Sequence, residues 1–177
     1  MKAELVFRNQ EYNVLMMENE ADIAIEELDH NVFGLDQIHL NYHCQFEVKE
    51  YHLYLRMCEI LCMNGYRAVL KSDSQKENEL PLGNMYTGSV VIGRNVVMND
   101  DTTIVEPLPC YHYEEVMELI FSQGVLVTTV NHNRAMKRVR MNLECGYRSL
   151  NKKKDVRCIQ KFLKDSFVGR YKELVKK

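Results

Sequence analysis

The chain has 177 residues, of which 46% are hydrophobic and 27% charged. That balance excludes disordered, collagenous and coiled-coil proteins, and the length can bury about 70% of the unfolded surface without disulfides or a metal. The formal net charge of −2 is the sum of two opposed blocks: residues 1–133 carry a balance of −13 and residues 134–177 a balance of +11.

No apolar run reaches the roughly 20 residues of a membrane span, and Glu4 follows Lys2 too early for a secretory leader. A cytoplasmic protein with no membrane partner is expected. The six cysteines (Cys44, Cys58, Cys62, Cys110, Cys145 and Cys158) are then expected as thiols rather than a disulfide framework.

In chain order, Ala3 to Arg8 alternates as a strand, and Tyr12 to Met17 reads as its partner across a turn at Asn9-Gln10-Glu11. Residues 20–29 fit either a short helix or an edge strand. Ile38, Leu40, Tyr42, Cys44, Phe46 and Val48 alternate strictly with polar residues, which predicts a long half-buried strand. The phase breaks at Lys49-Glu50, and Leu53, Met57, Ile60 and Leu61 recur at helical spacing, so a helix is predicted over 51–63, stopped by Asn64-Gly65.

Residues 67–71 read as a strand and 72–88 as a loop. Runs at 89–92 and 96–98 suggest a hairpin around Gly93-Arg94-Asn95, and 102–105 a further strand. Residues 113–123 read as a helix, with Glu114 and Glu115 in its first turn and Gly124 at its end. Residues 125–130 read as a buried strand. Val139, Met141, Leu143, Cys145 and Tyr147 alternate with Arg138, Arg140, Asn142 and Glu144, which predicts another strand. Residues 155–175 carry Val156, Ile159, Leu163, Phe167 and Tyr171 on one stripe, which predicts an amphipathic helix with Gly169 weakening its end. The expected fold is α+β, a single domain over 1–177, with a mainly antiparallel sheet and about three helices, the last being C-terminal and basic.

No phosphate-cradling glycine loop, nucleophile elbow or zincin motif occurs. His39, His43, Cys44, His52, Cys58 and Cys62 fall within 24 residues but lack the tight Cys-x-x-Cys spacing of structural zinc sites, so neither metal nor cofactor is expected. Cys110, beside His112 in a proline-bounded loop, is the most reactive thiol candidate. Asp100, Asp101 and Glu106 form the densest acidic loop set. Asp36 with Glu47-Val48-Lys49 matches the acid and acid-x-lysine pattern of metal-dependent nucleases, the third function considered.

The strongest signal is the basic block. Arg138 and Arg140 would project from one face of a strand, about 7 Å apart. Lys152, Lys153, Lys154, Arg157, Lys161 and Lys164 would follow on the loop and helix. Several cations held together can contact several phosphates, so a non-enzymatic nucleic-acid-associated regulator binding DNA or RNA is the leading reading. The alternative starts from the absence of Lys and Arg between Arg8 and Lys49, a stretch holding nine carboxylates. Glu18, Glu20, Asp22, Glu26, Glu27 and Asp29 could then imitate nucleic acid and occupy a partner enzyme's basic groove, as phage or mobile-element inhibitors of defence enzymes do. The opposed blocks could also satisfy each other within one chain or across a homodimer.

Overall fold

The structure is a computed structural model that describes residues 2–18, 41–61, 67–71, 86–97, 108–144 and 152–169. In chain order these form β1 (Lys2–Phe7), β2 (Gln10–Met17), β3 (Asn41–Lys49), β4 (His52–Leu61), β5 (Arg67–Lys71), β6 (Gly88–Val96), β7 (Tyr113–Ser122), β8 (Val125–Asn131), α1 (Asn133–Glu144) and α2 (Lys152–Ser166). A single 3-10 turn, Cys110–His112, precedes β7. The fold is α+β with a mainly antiparallel sheet, as the strand clustering predicts. Among the described residues it has two α-helices and the 3-10 turn.

Three hairpins have two-residue loops: Arg8-Asn9, Glu50-Tyr51 and Gln123-Gly124. All six residues have positive φ, between 49° and 76°. Two left-handed residues give the loop the twist that two antiparallel strands need. Only one of the six is glycine.

The strands run β3-β1-β2-β6-β7-β8-β4-β5, and β4 also pairs back onto β3. Seven strands therefore close into a ring, with β5 added beside β4. The pairing of β1 with β3 is parallel. Closure between β4 and β8 is narrow: Leu53 N–H donates to Gly124 O at 3.3 Å and Leu126 N–H to Tyr51 O at 2.6 Å.

Alternation along the strands makes two cores. Leu5, Phe46, Leu53, Val90, Ile92, Leu119 and Phe121 fill the inside of the ring. Val91 and Val116, on the opposite faces of β6 and β7, form a second core with Met136 and Val139 of α1, Leu163 of α2 and Phe167 just beyond it. The helices thus cover the outside of the ring across β6 and β7. Gly93 is required at this seam, because a Cβ there would stand 2.7 Å from Leu15 Cδ1 and 2.9 Å from Tyr113 Cγ.

Four sequence expectations are corrected. Residues 52–61 are strand β4, not a helix. Arg56 is an extra residue opposite Gln45 and Phe46, and this bulge shifts the inward phase from Leu53 to Cys58, which mimics helical spacing. Residues 113–122 are strand β7, buried on both faces, and Gly124 is a hairpin residue rather than a helix stop. Residues 88–96 are one continuous strand, not a hairpin at Gly93. Residues 133–144 are helix α1, whose buried side chains are Met136 and Val139, three apart.

Two further details differ. β8 is largely exposed rather than buried. The C-terminal helix ends at Ser166 instead of continuing to Val175. Of the expected loop at 72–88, residues 72–85 lie outside the described residues, as do the strand at 102–105 and the ambiguous segment 20–29. No helix among the described residues is long and apolar enough to cross a membrane.

Candidate nucleic-acid interface

The site is built from the two outer helices. Together α1 and α2 hold ten basic residues against three acidic ones. Apolar residues at helical spacing turn one side of each helix to the second core, which leaves the cations on the outside. Arg157, Lys161 and Lys164 occur at intervals of four and three, so they share one exposed face of α2. Lys153 and Lys154 are also exposed, near its start. The side chain of Lys152 lies outside the described residues.

Arg138 and Arg140 do not form the expected pair. On a helix, residues two apart point to different sides. Arg138 lies over the Phe162 ring of α2, 5.7 Å from its centroid. Arg140 Nη1 donates to the carbonyls of Tyr111 at 2.9 Å and Tyr113 at 2.6 Å. Arg138 thus packs at the seam between the helices. Arg140 clamps the chain at the 3-10 turn and the start of β7.

Two cations outside the expected set, Arg134 and Lys137, take a more open position. They line a groove of about 680 Å³ between α1 and the β6–β7 end of the ring, with Arg140 and Met141 on the same wall. Val97, Glu114 and Glu115 lie across from them. The sequence signal for this wall is the i, i+3, i+7 spacing of Arg134, Lys137 and Met141, which is visible only once the segment is read as a helix.

Two side chains fix the groove's backbone. Asn133 Oδ1 accepts from Val116 N–H at 2.7 Å, and Asn131 Oδ1 accepts from Asn133 N–H at 2.9 Å. At its rim Arg94 donates to both carboxylate oxygens of Glu115, at 2.7 and 2.8 Å. This guanidinium holds the Glu115 carboxyl below its ordinary pKa.

Five ion-pair contacts of the described residues lie wholly within the acidic block, residues 1–133. Arg56 pairs with Glu47, Arg94 with Glu115, His132 with Glu118, and His43 lies near Glu4 and Glu59. No described carboxylate is within ion-pair distance of Arg134, Lys137, Arg157, Lys161 or Lys164. Of the acidic set, Glu18 accepts from Ser89 Oγ at 3.0 Å. Glu20, Asp22, Glu26, Glu27 and Asp29 lie outside the described residues, as do Asp36, Asp100, Asp101 and Glu106.

Cys44 and Cys58 face each other inside the ring with their sulfurs 3.5 Å apart, neither in a disulfide. Their mutual hydrogen bond, with burial, raises the Cys44 pKa. Cys110 is buried, which pushes its thiol up to about 12 and removes it as a reactive candidate. His39 and Cys62 are outside the described residues. Among those described, no three His, Cys, Asp or Glu side chains converge as a metal would need. Comparison with family models, curated proteins and solved structures returned no match.

Proposed function

We propose that the protein is a non-enzymatic, nucleic-acid-associated regulator that holds the phosphate backbone on the outer surface of α1 and α2. The observation that supports this reading is the set of exposed cations with no described carboxylate partner, Arg157, Lys161 and Lys164 on α2 and Arg134 and Lys137 on α1. An unpaired surface cation has lost no hydration to an internal partner. Its charge is available to displace counterions from a polyanion, which is the main source of sequence-independent affinity.

The two-core architecture suits this role, since both helices are anchored on the ring and their cations sit on a fixed frame. The test is fluorescence anisotropy with a labelled 20-nucleotide DNA or RNA at low salt. Replacing Arg157, Lys161 and Lys164 together by Ala should weaken binding about tenfold or more, with an unchanged circular dichroism spectrum. Equal affinity of the triple variant and the parent chain would contradict the assignment of these residues.

A further inference from the structure

The groove beneath Arg134 and Lys137 differs in chemistry from the outward face of α2. A surface for phosphates alone is best served by cations. This groove sets cations on the α1 wall against a carboxylate and apolar surface opposite. Val97 and Met141 line it and are 48% and 55% exposed. Glu114 is exposed on the face of β7 that also bears Val116, where α1 packs. Glu115 is occupied by Arg94, whereas Glu114 makes no ion pair among the described residues. Its acceptor oxygens are therefore open to a ligand.

We infer that the groove takes one unpaired nucleotide of a single strand, with guanine as the preferred base. This deepens the backbone-binding reading and rests on it. A duplex phosphate lowered into the groove would meet Glu114, which repels it. A nucleotide matches all three surfaces at once. Its phosphates face Arg134 and Lys137, its flat apolar faces lie along Met141 and Val97, and its base edge reaches Glu114. A carboxylate can only accept hydrogen bonds. Guanine presents two parallel N–H donors on its Watson–Crick edge, while adenine and cytosine present an amino group beside an acceptor, and thymine and uracil one N–H between two carbonyls. That edge is exposed only when the base is unpaired. A volume of about 680 Å³ lies within the ordinary range for small-ligand pockets.

The experiment uses the full chain and ten-nucleotide strands of thymidine only, the same strand with one central guanosine, and a duplex of equal length, with uridine-based RNA strands in parallel. One guanosine should tighten binding about tenfold in at least one of the two sugar series. Glu114→Gln should abolish that preference, because a carboxamide oxygen cannot accept from both guanine N–H groups as a carboxylate does, while the all-pyrimidine strand should bind at least as tightly as to the parent chain, since a charge that repels phosphate is removed. Lys137→Ala should weaken every strand equally. If the guanosine gives no gain, or Glu114→Gln leaves the gain intact, the groove assignment is overturned while the helix cations remain as the backbone surface. If no strand or duplex binds at low salt, the backbone reading itself fails and takes the groove assignment with it.

Discussion

Arg94 shows how a single side chain can organise one end of the ring. Its guanidinium grips Glu115 with two hydrogen bonds, contacts Gln10 Oε1, and stacks over the Tyr12 ring at 5.2 Å. It thereby ties β6 to both β2 and β7, beside the groove. Because the folded pKa of Glu115 is depressed, the stabilisation from this pair is complete above the ordinary glutamate value of about 4.3 and is lost as pH falls through the lower, folded value. Glu115→Gln should accordingly lower the thermal midpoint near pH 7, and the gap to the parent chain should close in acid. A gap that stays constant down to about pH 3 would show that the pair does not titrate as described. The buried thiols give the opposite lesson. The proximity of Cys110 and His112 in sequence suggested reactivity, but both side chains are buried, and burial disfavours the thiolate.

At the scale of elements, the least expected feature is the attachment of α2. Glu118 on β7 is completely buried, and the partners of its carboxylate include His132 Nε2 at 3.0 Å, Val168 N–H at 2.9 Å and Gly169 N–H at 2.7 Å. With Glu118 ionised, the first contact requires the proton on Nε2 of His132. Phe167 lies over the imidazole, with ring centroids 4.6 Å apart. The carboxylate thus fixes the chain just beyond Ser166. Glu118→Ala would take the acceptor from the buried His132 Nε2–H and from two part-buried backbone N–H groups and should cost about 3 kcal/mol, with Glu118→Gln recovering part of the loss. Hydrogen exchange should locate the effect, with the amides of α2 losing more protection than those of β3. Equal loss in both elements would refute a local latch.

Strands with one buried face were legible in the sequence, since β1 and β3 alternate with period 2, and β2 was read as the partner of β1 across the turn. β4 was hidden by the bulge at Arg56, and β7 by burial on both faces, which removes the alternation. In α1, Val139, Met141 and Leu143 alternate by chance: Met141 is exposed, and the helix turns Met136 and Val139 inward. Reading that segment as a strand gave Arg138 and Arg140 a shared face, whereas the helix separates them and brings Arg134 and Lys137 to the groove instead. The cations of α2 were legible because that helix carries an unbroken apolar stripe.

Over the whole molecule, a net charge of −2 conceals two opposed blocks of sequence charge. Any affinity for a polyanion must come from local charge, and the proposed function assigns it to the five cations without described carboxylate partners. The most direct measurement is the slope of log affinity against log salt for the full chain on a single strand. Each phosphate contact contributes about −0.7 on single strands, so five cations predict a slope of about −3.5. A slope near zero, or no complex at low salt, would contradict the account.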